Sequence, residues 1–542
     1  MGGHRGDERG QLAAVAIGRA AAGVGARVPG VTARAVVAVV GLACAAAAAA
    51  QAPRTRPERT RYAETSRAAD VEAFLAALAA RHPGRLHRTS FGYSWEGRRL
   101  PLVVWGAPGA SAAAVRATGK LRILLVADIH AGEVEGKEAV QVLLREALAG
   151  RHPAWARRLV LLVVPLYNID GNERIALGNR PLQFGPVGGV GMRANAQGLD
   201  LNRDHTKLDT PEARALVRLL AAYDPHVVLD LHTTDGTFHA YQLTYAPPLH
   251  PSTPRVVDEE LRRRWLPALK RALAARGWRL FPYGNLPEPG DTAAPAWTTF
   301  DHRPRFLTNL VGLRGRFALL SEAYSYLPFE ARVRVTRDFV VAALDYAAAH
   351  ADRLRALVAA VDAAPPTSVA LRARLGPGDT ATVLLAGVDT VAHPYTGAPM
   401  LRQRAEVRPL RLPVRDRFEP TETVAPPRAY ALPPDARDLV ARLDAQGFAL
   451  VRLPAPQRVR AERFRIARRT PGPTFQNRQL QDLEGTWESV DLELPAGSWI
   501  LPVRPPWAAL AAVLLEPRSD DGFAAWGLVG TDGDVYPILR LR

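Results

Sequence analysis

Between Tyr62 and His350 the apolar residues follow alternating rhythms. Residues 71–80, 135–148 and 211–222 place apolar side chains every three to four positions, which predicts amphipathic helices. Residues 102–105, 121–127, 159–165, 226–231 and 317–321 are short, continuous and rich in branched aliphatics, which predicts buried strands. Longer helical patterns cover 254–275 and 329–361. Thr210 followed by Pro211 reads as an N-cap with proline at the first helical position. This alternation predicts an α/β domain with a mixed, largely parallel sheet flanked by helices.

The pattern changes at Ala363-Ala-Pro-Pro-Thr367. Beyond it, 368–375, 380–386 and 405–412 alternate over short runs with frequent prolines, which predicts a smaller all-β domain. A helical patch at 434–446 interrupts it. The Pro-rich stretch 418–430 reads as a surface connection. The resulting plan is a leader over 1–52, a catalytic α/β domain over 60–362 and a β-rich C-terminal domain over 366–542.

The chain has 542 residues and a formal charge of +17. The basic residues are spread along its length, with no long basic run and no aromatic-interleaved basic segment. That distribution argues against a nucleic-acid partner. The single cysteine, Cys44, falls in the leader, so no disulfide or thiolate metal site is expected beyond it. Residues 36–50 are apolar, follow Arg34, and end in an alanine run before Arg54-Thr-Arg-Pro-Glu-Arg59. This reads as a cleavable secretory signal, with a mature N-terminus near Gln51 and export to a periplasmic or extracellular space. The stretch is short for a membrane helix, which needs about 20 apolar residues, so no stable span is expected after cleavage. Gly41-Leu-Ala-Cys44 fits a lipid-anchor site less well.

The candidate chemistry is ordered along the chain as His130-Ala-Gly-Glu133, Asp200-Leu-Asn202-Arg203, Asp230-Leu-His232 and Ser321-Glu322-Ala-Tyr324. Taken singly these are weak. His-x-x-Glu occurs by chance on solvated loops, a lone histidine is usually bonded to a backbone carbonyl, and Glu322 could pair with one of many arginines. His226 and His239 compete for a ligand role, but neither directly follows an apolar run. Together the segments are far more specific. His130/Glu133, His232 and Glu322 all follow predicted strands, where α/β sheets place their active sites. Two His and one Glu suit a catalytic zinc, because three protein ligands leave a fourth position open. An Asn-Arg pair can hold a carboxylate.

These motifs, with Glu96-Gly-Arg-x-Leu100, Asn168-x-Asp-Gly171 and Arg193-Ala-Asn-Ala-Gln-Gly198, resemble the zinc carboxypeptidase family of the carboxypeptidase A-like type. The versions here are similar to exported bacterial members with a C-terminal β domain. The resemblance covers about residues 62–349. It implies one zinc per chain, held by His130, Glu133 and His232. It implies that Glu322 is the general base that takes a proton from the attacking water and passes it to the leaving amine. It implies that Asn202 and Arg203 hold the terminal carboxylate of a peptide substrate, and that Asp200 orients His130 through its other ring nitrogen. The family's oxyanion-stabilising arginine falls to Arg193, ahead of Arg180. The family's mobile tyrosine is left unassigned between Phe300 and the more distant Tyr283.

The leading expectation is therefore zinc-dependent peptide hydrolysis that removes C-terminal residues. The alternatives are a zinc amidase acting on cell-wall peptides or acyl-amino acids, and a peptide- or wall-binding protein that has lost the reaction. Glu322 beside a complete ligand set argues against the last.

Overall fold

A computed structural model describes residues 52–288, 290, 294–530 and 533–542. The expected leader, its cleavage point near Gln51 and Cys44 lie outside the described residues. Pro53–Arg542 forms one compact unit. No helix among the described residues is long and apolar enough to cross a membrane.

The chain before residue 362 supplies β1 (Leu86–Tyr93), β2 (Arg99–Trp105), β3 (Leu121–Ala127), β4 (Leu159–Val164), β5 (Val227–Thr234), β6 (Leu243–Ala246), β7 (Leu280–Pro282), β8 (Trp297–Thr298) and β9 (Phe317–Tyr324). All but β8 join one eight-stranded sheet in the order β1-β2-β4-β3-β5-β9-β6-β7. The centre, β4-β3-β5-β9, is parallel, while β1/β2, β2/β4 and β6/β9 are antiparallel.

Strands β3, β4 and β5 are buried almost throughout because both sheet faces are covered. Successive side chains alternate between faces. Ile123 and Leu125 enter a core layer with helices Glu135–Leu148 and Phe329–Ala349. Leu124 and Val126 enter the opposite layer with helix Pro211–Tyr223. Thr210 caps that helix by accepting from the Ala213 N–H at 3.1 Å.

Several expected elements differ in detail. The helix expected over 254–275 is Arg255–Glu260 and Leu266–Ala274 joined by a π turn, Leu261–Trp265. Pro267 lacks an N–H for the regular ladder, which suits a widened turn just before it. The helix expected over 329–361 breaks at His350 into Phe329–Ala349 and Ala351–Ala363.

The stretch 418–430, read as a surface connection, contains strand instead. Phe418–Val424 pairs antiparallel with Val369–Leu375 in a two-stranded sheet, where Pro420 costs no interior ladder bond. Ala429–Leu432 is fully buried within a six-stranded antiparallel sheet.

The C-terminal region also contains a helix, Ala508–Leu515, that periodicity could not show. All its residues are buried, so it has no polar face. The same core layer that holds Leu124 and Val228 also holds Val369, Tyr430, Leu510 and Tyr536. Strand β8 pairs in parallel with Arg408–Arg415, across the proposed domain boundary. The longest strands, Gln457–Phe475 and Arg478–Leu494, form one hairpin. Its two turn residues, Gln476 and Asn477, have φ of 50° and 60°, the left-handed geometry that matches hairpin twist.

Candidate active site

The carboxyl ends of β3, β5 and β9 lie side by side, and their register aligns Ala127 with Leu231 and His232 with Glu322. His130 follows β3 after Asp128, whose φ of 66° turns the chain sharply off the strand. The Glu133 N–H then donates to the His130 carbonyl at 2.8 Å, which folds the two side chains towards each other. Gly132 is required by a neighbour rather than by its own turn. A Cβ there would sit 2.8 Å from Cδ of Arg180.

His130, Glu133 and His232 are buried and offer donor atoms within 4.8 Å of one another, the one such metal-binding group among the described residues. Nδ1 of His130 lies 3.0 Å from one Glu133 oxygen, and Nδ1 of His232 lies 3.0 Å from the other. Each ring turns its second nitrogen to a carboxylate. Nε2 of His130 is 2.9 Å from Asp200, and Nε2 of His232 is 2.9 Å from Asp230. This donor set fits zinc, with two imidazole nitrogens and a carboxylate converging and an acidic group behind each imidazole.

Electrostatics reflect the crowding. Burial opposes charge on Glu133, yet the adjoining His130 and His232 hold its carboxyl well below the usual range. Burial likewise opposes charge on His232, but Asp230 and Glu133 raise it well above an ordinary imidazole. Glu322 faces the same space. Burial, with Glu133 nearby, pushes its carboxyl up to about 8 even against the pull of His232. Its Oε2 has no hydrogen-bond partner among the described residues.

Asp200 lies at the centre of the second group. Its Oδ1 accepts from His130 and from the Asn202 N–H, both at 2.9 Å, and its Oδ2 accepts from Arg193 at 2.9 Å. The Asn202 side-chain carbonyl accepts from the Leu307 N–H at 3.0 Å, so its amide nitrogen is left towards His232, 3.4 Å away. The Arg203 guanidinium lies 4.0 Å over the Phe306 ring and donates to the Asn202 carbonyl at 2.9 Å.

Both arginine candidates reach the metal group. Arg193 and Arg180 approach the same Glu133 oxygen at 3.3 and 3.2 Å. Arg180 is tied down by Gln183, Ser325 and the Thr233 carbonyl. Arg193 is far more open, with its side chain 47% exposed against 10% for Arg180.

His130, Glu133, His232, Glu322, Asn202, Arg203, Arg180 and Arg193 all line one cleft of about 340 Å³, and Asp200 and Asp230 lie behind it. The competing histidines lie elsewhere. His226 accepts from the Arg122 N–H at 3.0 Å, and His239 stacks on Tyr324. The cleft also contains residues that the sequence left unassigned, among them Tyr283, Phe300, Phe306 and Thr308. Tyr283 and Phe300 meet edge to face at 5.7 Å, so the structure brings both uncertain aromatics to the site. Asp230 was visible in the sequence without a role. Two positions from His232 on one strand, it shares that residue's face.

Residues 71–266 match the family model described as zinc carboxypeptidase. Carboxypeptidase 2 of Trichophyton rubrum is 25% identical over 497 residues, covering 87% of this chain and 86% of that protein. Carboxypeptidase D of Mus musculus is 35% identical over 172 residues, 27% of this chain and 12% of that protein. Among solved structures, a metallo-carboxypeptidase from Burkholderia cenocepacia aligns with 52% of this chain and 69% of its own at 19% identity, with a TM-score of 0.39.

Proposed function

We propose, from the premise that this chain belongs to the zinc carboxypeptidase family and is a zinc-dependent peptide hydrolase, that it removes residues from the C-terminus of peptides. The observation that carries this reading is the Asn202/Arg203 pair, set in the same cleft as His130, Glu133 and His232. A planar guanidinium pairs well with a carboxylate. Stacking on Phe306 and the bond to the Asn202 carbonyl limit how far Arg203 can swing. A substrate held there by its terminal carboxylate presents its last amide bond to the metal group.

The ligands proposed are His130, Glu133 and His232, with Asp200 and Asp230 fixing the imidazoles. A zinc ion held by His130, Glu133 and His232 would supply Lewis acidity for the scissile carbonyl and for the attacking water. Glu322 would take a proton from the attacking water. The bound dication would favour the ionised Glu322 carboxylate, which can accept that proton and return it to the leaving amine. Arg193, the more open guanidinium, is the group proposed to meet negative charge developing on the carbonyl oxygen. The leader-like segment before Gln51 supports export of the mature protein.

Amidating a substrate's C-terminus tests the carboxylate reading, because it removes the charge and leaves the scissile bond intact. The wild type should lose at least about tenfold in kcat/KM, since charge-assisted hydrogen bonds contribute about 1.5–3 kcal/mol. Equal rates on acid and amide would overturn the carboxypeptidase reading and favour a general zinc amidase.

A further inference from the structure

The loop that carries Asp200, Asn202 and Arg203 is held along its length by residues from the far C-terminal part of the chain. The Gln476 side-chain carbonyl accepts from the Asp200 N–H at 2.8 Å. Gln446 donates to the His205 carbonyl at 2.8 Å. Asp521 accepts from Thr206 at 3.4 Å. Arg442 donates to the Lys207 carbonyl, and Arg478 grips both Asp209 oxygens at 2.6 Å. Asp521 also fixes Arg305 through its N–H and Nε, each at 2.8 Å, just before the Leu307 N–H that holds Asn202.

Gln476 is the contact nearest the metal group. It occupies the turn of the long hairpin, and a two-stranded hairpin standing alone is marginal in water. Its tip is therefore expected to depend on docking. Phe475 stacks on Trp526 at 6.0 Å, and Arg305 lies 5.3 Å over the Phe475 ring. The docked tip sets where the Asp200 backbone sits. The Asp200 carboxylate in turn contacts His130, the Asn202 N–H and Arg193. One neutral hydrogen bond from the hairpin thus stands behind both a metal ligand and the carboxylate fork.

We propose that Gln476, at the tip of the C-terminal hairpin, is a positioning residue for the catalytic centre, acting through the Asp200 backbone on His130 and on the Asn202/Arg203 fork. This rests on the carboxypeptidase reading for the fork and on the ligand set alone for His130.

The test is Gln476→Met, which keeps side-chain length and removes the acceptor. It is measured in the full chain, in wild-type and Arg203→Ala backgrounds, on acid and amide forms of one peptide. Zinc release to a chromogenic chelator and the melting temperature are followed in parallel. On the free acid, kcat/KM should fall about three- to tenfold, chiefly through KM, the range expected for one lost hydrogen bond. In the Arg203→Ala background the same change should cost less than about twofold, because interacting positions are non-additive. Zinc should be released about threefold faster, a weaker form of the effect of losing a group that orients a ligand.

Equal losses in both backgrounds with unchanged zinc release would reduce Gln476 to general stability and overturn the proposal. So would unchanged zinc release with unchanged kinetics. If the wild type itself does not distinguish acid from amide, the carboxypeptidase reading fails separately. Zinc release then decides the proposal, with a wild-type rate in Gln476→Met overturning it.

Discussion

At the residue scale, metal binding and proton transfer should separate by mutation. His232→Ala removes a ligand, so elemental analysis should fall from about one zinc per chain to a small fraction. Glu322→Gln should keep the zinc and the fold while turnover drops about 10²–10⁴-fold, the usual cost of losing a general base. Full metal content in His232→Ala would remove that residue from the ligand set. Near-normal turnover in Glu322→Gln would move the base to another carboxylate. The residues involved were legible in sequence because each sits in a short motif at the end of a strand. Asp230 was harder to read, since an acidic residue within a strand looks the same whether or not it backs a histidine. Gln476 gave no signal at all. It is 276 positions from Asp200, and an isolated glutamine in a turn matches no chemical pattern.

At the scale of elements, the docking of the hairpin should depend on acidity. Burial pushes the Asp209 carboxyl up, but Arg478 and Lys207 outweigh it and hold the group at about 2. A carboxyl lowered in the folded state stabilises it fully above the unfolded value, about 3.9, and that stability is lost as pH falls through about 2. With allowance for solvent screening the contribution is about 1 kcal/mol. Arg478→Ala should therefore melt below the wild type at neutral pH, with the gap narrowing as pH drops from about 4 to 2. A gap that stays constant across that range would show that the ion pair does not anchor the tip. The hairpin itself was not legible in sequence. Its apolar rhythm is broken, because Val459 and Ala461 share one parity while Phe464 and Ile466 share the other, and only Val490, Leu492 and Leu494 alternate without a break. The parallel centre of the main sheet was legible for the opposite reason. Burial on both faces makes β3, β4 and β5 continuous apolar runs.

At the scale of the whole molecule, the shared core decides how the protein unfolds. Leu124, Val228 and Leu310 pack in one layer with Tyr430, Leu510 and Tyr536. A chain cut after residue 362 would expose that layer to water, and such a surface favours association. The expected outcome is an aggregating fragment and, for the intact protein, a single calorimetric transition. Two separated transitions, or a soluble and active 53–362 fragment, would contradict this. The composition break at 363–367 marks where the pattern of elements changes, but it carries no information about what packs against what.

The placement of Gln476 also has a consequence in time. Ribosomes add about 5–20 residues per second, so on the order of tens of seconds separate Arg203 from the hairpin turn that steadies its loop. Late in that interval, once Glu322 has been added, the growing polypeptide contains every proposed zinc ligand and the proposed base. It lacks the clasp that aligns them with a substrate. Under the proposal, full alignment of the substrate fork is acquired only after residue 476 has been made, late in the synthesis of this polypeptide.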